Sequence, residues 1–218
     1  MRLFKLEDEF AGRVKLVWKS YPLAVDDNKN RRYAGKSAVS WLRAMEEEKG
    51  LNFRPHPAGD PAPTSSLPSH IAAKAAMLQS EDAAVVLECS GGALSAEAQA
   101  ELREMKGAFR RYHMKLLEAH FERWLDISDQ RVLLDLAREA GLDAARLERD
   151  MADPRWKELV LAEKEEGDRD YKDWGPGVPL AVFGNRFPVL GAVPIEMYRH
   201  AVRRLLGQEP KPRWAISV

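Results

Sequence analysis

Residues 68–167 read as helix almost from end to end, and this block limits the folds open to the chain more than any other feature. Ser69 is placed to cap a helix through Ile71, Ala75 and Met77, and Ser90-Gly91-Gly92 breaks the pattern. Ser95 then starts a long helix carrying Leu102, Met105, Phe109, Tyr112, Leu116 and Ala119 at steps of three or four, closed by Trp124 and Leu125. The next helix, through Val132, Leu133, Leu136 and Ala137, stops at Gly141, with Leu142 following as in a Schellman end. Asp143 is placed to cap a short helix with Leu147 and Met151.

The flanks have a different character. Leu3, Phe4, Leu6 and Phe10 form a partial helical stripe that Gly12 ends. This helix begins at the first residue, with no cap and no lead-in. Across 13–19, Val14, Leu16 and Trp18 alternate at period two, which predicts a strand, and Pro22 ends it. A polar, basic loop over 25–36 leads to a helix over 37–49 with Val39, Leu42 and Met45. Residues 53–67, with Pro55, Pro57, Pro61 and Pro63, are a long irregular connection, either a linker or a wrap around a domain. In the last third, Gly175-Pro-Gly-Val-Pro179 is a rigid turn, and Leu180–Phe183 is a short strand. Gly184-Asn185 signals a two-residue hairpin. The partner strand, Phe187 to Leu190, contains Pro188, which removes a ladder donor and predicts a sheet edge. Pro194 opens a final helix with Val202, Leu205 and Leu206 that ends at Gly207.

Composition excludes several classes. Lys+Arg and Asp+Glu both count 34, so no net field draws the chain to nucleic acid or an anionic membrane. No apolar run approaches the ~20 residues of a bilayer span. One cysteine, Cys89, rules out an intramolecular disulfide, and the first ten residues carry no apolar signal core. A cytoplasmic location is expected.

The order helix, strand, helical block, hairpin, helix is that of a thioredoxin fold without its first strand. Several segments sharpen the likeness. Val17-Trp-Lys-Ser-Tyr-Pro-Leu23, Phe53-Arg-Pro55, Leu117-Glu-Ala-His-Phe121, Asp126-Ile-Ser-Asp129 and the run from Leu133 to Asp143 resemble, in order, cytoplasmic DsbA-like proteins of the FrnE type. Gly177-Val-Pro179, Phe183, Gly191-Ala192 and Tyr198 resemble that family's cis-proline loop, hairpin and last helix. The resemblance implies an α/β, thioredoxin-like fold, incomplete at the N-terminus, with a large all-helical insertion. It divides the chain into a discontinuous thioredoxin-like domain, 1–52 with 168–218, and an insertion subdomain, 53–167.

The resemblance also implies thiol–disulfide oxidoreductase chemistry, yet the family's Cys-x-x-C is absent. Such exchange needs a thiolate held at a helix N-terminus and a second cysteine to resolve the mixed disulfide. With Cys89 alone, no dithiol cycle runs within one chain, so no catalytic residue is named and no cofactor or metal is called for. Alternatives are a glutathione-dependent isomerase or kappa-class transferase, and a non-enzymatic binding module. Without a first strand, the 13–19 and 180–183 strands have open edges. Three outcomes follow: a longer native product, a second copy supplying a strand in a homodimer, or an inward shift of the 13–19 strand.

Val178 and Pro179 are the candidate substrate-binding residues. In the family this loop offers backbone groups to an extended peptide or a small thiol or disulfide substrate. An ordinary turn is the plain alternative. Cys89 reads as a structural or incidental thiol, and His113 and His120, seven apart on one helix, read as surface or packing histidines short of a zinc ligand set. Phe109, Tyr112 and Trp124 are core packing or, alternatively, the lining of a substrate groove. Lys29-Asn-Arg-Arg-Tyr33, Glu46 to Glu48 and Glu163 to Glu166 read as solvated charge runs.

Overall fold

The computed structural model describes residues 2–33, 37–48, 50–93, 95–103, 105, 107–171 and 178–208. Residues 34–36 of the expected loop, Lys49 at the end of the expected helix, and Gly175 to Gly177 of the expected turn lie outside them. The chain packs as two compact units, residues 1–19 with 166–218, and residues 20–165.

In the first unit, α1 (Arg2–Glu9) and the last helix, Ile195–Leu205, pack with a two-stranded antiparallel sheet. Leu6, Phe10, Phe183, Tyr198 and Val202 form its core, with Leu3, Val14, Ala181, Val189 and Leu206 packed around them. Glycine is required where α1 ends: Gly12 has φ +76°, the left-handed region that L-residues avoid. The sheet pairs β1 (Leu180–Phe183) with β2 (Phe187–Leu190), in register Leu180 to Leu190 and Phe183 to Phe187. Gly184 and Asn185 both have positive φ, and Arg186 N–H donates to Phe183 C=O at 3.1 Å. The ladder resumes only at Phe187, so three residues, not the expected two, join the strands.

The predicted strand at 13–19 is not in a ladder among the described residues. Its alternation is real, since Val14, Leu16 and Trp18 are half-buried while Lys15, Val17 and Lys19 are exposed. Period two reports a half-buried extended chain; hydrogen bonding needs a neighbour as well. Here the Leu16 N–H donates to the Glu7 carboxylate at 2.8 Å instead of to a strand.

The second unit is helical: α2 (Ser37–Glu47), α3 (Leu67–Met77), α4 (Ala83–Cys89), α5 (Ala96–Arg103), α6 (Ala108–Phe121), α7 (Gln130–Glu139), α8 (Ala144–Met151) and most of α9 (Pro154–Asp170). The last helix of the first unit is α10 (Ile195–Leu205). Helix α3 packs against α6, α7 and α8. Its Ala72, Ala75 and Ala76 are fully buried, and such small side chains let helices approach closely. Phe109, Tyr112, Leu133, Leu136, Leu147, Trp156 and Val160 fill the core. Asp129 and Asp143 cap α7 and α8 by accepting from Arg131 and Arg146 N–H. The Schellman end is present, with Leu142 N–H donating to Ala137 C=O at 2.9 Å and Gly141 N–H to Arg138 C=O at 3.0 Å.

The single long helix expected from Ser95 is instead two, α5 and α6. Gly107 (φ +75°) separates them, and its N–H is held by both Glu81 carboxylate oxygens at 2.8 and 3.0 Å.

The division of packing falls at Lys19/Ser20, upstream of the 52/53 division drawn from the sequence. Backbone hydrogen bonds account for it. Asn28 N–H donates to Thr64, Tyr33 N–H to Asp60, Ala62 N–H to Arg31 and Ser66 N–H to Ala24. Two irregular segments, 24–33 and 59–66, thus satisfy one another's polar groups.

Candidate functional site

The Val178–Pro179 peptide is cis and leads directly into β1. The Val178 side chain is 45% exposed. Its backbone N–H and C=O have no hydrogen-bond partner among the described residues. Pro179 C=O accepts from Gly191 N–H at 2.8 Å, one step beyond the last ladder pair. Gly191 takes φ +87°, and its own carbonyl accepts from the buried Tyr198 hydroxyl at 2.9 Å. Burial raises the Tyr198 hydroxyl above its ordinary pKa, so it stays a donor. From the start of α1, Arg2 Nη1 donates to the carbonyls of Ala192 (2.8 Å) and Val193 (3.0 Å). Glu9 and Arg199, joined at 2.7 Å, tie α1 to α10. Among the described residues, the turn therefore presents an unpaired backbone step on a frame fixed from both helices.

The other candidates sit in the helical unit. Cys89 ends α4, exposed and free. Among the described residues no three His, Cys, Asp or Glu side chains group as metal ligands. His113 packs on Phe109 at 5.6 Å, and burial pushes its pKa down to about 4, with His70 adding to the effect. His120 belongs to a separate aromatic cluster. Phe109 and Tyr112 are core, and the Tyr112 hydroxyl donates to Leu133 C=O at 3.2 Å. Trp124 is 41% exposed, and its indole donates to Arg54 C=O at 2.7 Å. The basic run has its guanidinium groups on backbone carbonyls, Arg31 on Pro63 and Arg32 on Lys29 and Arg31.

The expectation of a solvated face over 163–166 is corrected at Glu163. It is 6% exposed, accepts from Lys74 Nζ at 2.7 Å and from Ser20 N–H at 2.6 Å. A signal existed: Trp156, Val160 and Glu163 share one face of α9 at spacings of four and three, so Glu163 continues a buried stripe.

The sequence profile of the "DSBA-like thioredoxin domain" matches residues 1–203. The chain belongs to this family. Its fold is accordingly the DsbA-like thioredoxin fold with a helical insertion, mostly helical and with a two-stranded sheet among the described residues. Among solved structures it is similar to a crystal structure described as a "putative protein disulfide isomerase from Nitrosomonas europaea". The TM-score is 0.57 and the identity 16%, over 94% of this chain and 86% of that one. No curated protein matches. No helix among the described residues is long and apolar enough to cross a membrane.

Proposed function

We propose that this chain acts as a thiol–disulfide oxidoreductase-like module of the DsbA family, of the FrnE type. In the form of these 218 residues it holds a peptide, or a small thiol or disulfide, at the Val178–Pro179 turn without turning it over. One observation carries the reading: the family match spans residues 1–203, while the sequence contains a single cysteine. A dithiol cycle needs an attacking and a resolving thiol. Recognition needs neither, because an extended chain can bond to the backbone of Val178 as an added strand would. We further propose a cytoplasmic setting and pairing of two copies through the sheet edge, with no role for nucleic acid, membrane or cofactor.

The test joins two assays on the full chain. The first is reduction of insulin disulfides by dithiothreitol, with and without the protein and its Cys89→Ala variant. The second is an NMR titration with an extended, disulfide-containing peptide, read at Val178 and Leu180. Turnover no faster than dithiothreitol alone, with peptide-dependent shifts at Val178, is expected. Turnover lost in Cys89→Ala overturns the inactive reading, and an unmoved Val178 resonance overturns the binding site.

A further inference from the structure

An aromatic cluster in the helical unit joins the loop at Tyr33, the connection at Phe53–His56 and the end of α6. The His56 imidazole lies between two rings, stacked on Tyr33 at 3.9 Å and 9° and on Trp124 at 4.5 Å and 29°. His120 lies 6.2 Å from Tyr33, 6.3 Å from Trp41 of α2 and 4.7 Å from Phe121. Two polar bonds close the same junction. Arg54 N–H donates to Phe121 C=O at 2.7 Å, and the Trp124 indole donates to Arg54 C=O, with the Arg54 guanidinium 4.8 Å over the Trp124 ring. Against this order, His56 Nε2 and His120 Nδ1 are buried and have no hydrogen-bond partner among the described residues.

The charged groups facing the pair come from three segments. Arg31 faces it from the loop, Asp60 from the connection and Asp126 from the chain after α6, while α2 contributes the Trp41 ring. Asp60 and Asp126 favour an imidazolium. Burial opposes it at both rings; at His120, His56 and Arg31 oppose it as well, whereas at His56 a hydrogen bond to the His120 backbone favours it.

We propose that His56 and His120 form an acid-sensitive latch. With both rings neutral, they fasten the 53–56 connection to the end of α6; protonation puts two cations within one apolar cluster, with Arg31 opposing the charge on His120, and releases it. Burial is the main cause that lowers both histidines, His120 to about 4 from the ordinary 6.5. A histidine whose folded pKa lies below its unfolded one stabilises the closed form above the unfolded value. That contribution drains as pH falls toward the folded value. The latch is closed at neutral pH and opens between about pH 6.5 and 4.

The full chain tests this by NMR. His Cε1 shifts give each histidine's titration, and exchange of the Trp124 indole N–H, corrected for its intrinsic pH dependence, reports the junction. The expected result is that His120 titrates far below 6.5, toward about 4, and that His56 titrates below its ordinary value. Trp124 exchange should accelerate over the same range well ahead of the core amides of α3, which follow only the overall stability of the helical unit. In the double variant His56→Phe/His120→Phe, which keeps rings in place without charge, that acid step should vanish. Titration near 6.5 with Trp124 unmoved overturns the proposal. So does an unchanged acid step in the variant, or Trp124 exchange that does no more than track that of the α3 amides. If the variant does not fold, the titration and exchange of the parent chain decide.

Discussion

Lys74 and Glu163, 89 positions apart in sequence, meet in a buried ion pair, Nζ to Oε1 at 2.7 Å, with side chains 4% and 5% exposed. Besides Lys74, α3 buries Ser69, Ala72, Ala75, Ala76 and Met77, so this pair is a charged contact between α3 and α9 beside a mostly apolar buried face. Removing one partner leaves a charge without compensation in low dielectric, which costs about 3–5 kcal/mol. Lys74→Met and Glu163→Gln should each lower the urea midpoint strongly. Lys74→Met/Glu163→Leu should recover most of the loss, because paired apolar side chains remove both desolvation penalties. Equal damage in single and double variants would show that the pair is not what matters there.

At the α5–α6 break, Gly107→Ala forces an L-residue into left-handed backbone, at about 1–2 kcal/mol. A Cβ there meets only the tip of Arg111, at 3.6 Å, so the cost is conformational rather than steric. Chemical denaturation measures it. A neutral or stabilising substitution would mean that α5 and α6 can join as one helix.

Tyr198→Phe removes the donor to Gly191 C=O beside the candidate turn. The expected loss of stability is about 1 kcal/mol. Because Gly191 also bonds Pro179, resonances of Val178 and Leu180 should shift more than those of the helical unit. Unaltered resonances at 178–180 would separate the hydroxyl from the site.

Acid should destabilise the helical unit through His70 and His113, each lowered to about 4 by burial, with Lys74 adding to the effect on His70. In the unfolded chain both return to the ordinary 6.5, so the unfolded state binds protons first as pH falls. Stability is whole above about pH 6.5 and declines toward pH 4. Urea midpoints at pH 7, 6 and 5 follow the decline, and His113→Leu should flatten it. A slope indifferent to His113 would assign the acid response elsewhere.

Local chemistry made much of this molecule legible in the sequence. Asp143 before an apolar-periodic run, Gly141 followed by Leu142, and Gly12 after α1 each act within one turn of chain, and each does in the structure what its type predicts. The hairpin was legible in position and not in loop length, because Arg186 is outside the ladder for reasons of register with β2. At the candidate site, Val178 and Pro179 stood out as residues. The hold on Gly191 to Val193 by Arg2 and Tyr198 did not, since those partners lie far apart in sequence.

The sequence by itself therefore determined the helical character of the block, the Asp143 cap, the Gly141 end, the position of the hairpin and the shortage of thiols, all of which depend on neighbours within a few residues or on simple counting; Ser69, expected as a cap, instead lies inside α3. Tertiary structure alone decided whether an alternating segment joins a ladder, whether a glutamate in an acidic run is solvated or buried, and where the packing boundary falls. Val14–Lys19 alternates without a strand neighbour among the described residues, Glu163 meets Lys74, and 24–33 bonds to 59–66. Each of these turns on a partner brought from a distance along the chain. Propensity and periodicity describe a segment's own preferences and carry no information about which distant group will satisfy its hydrogen bonds or its charge.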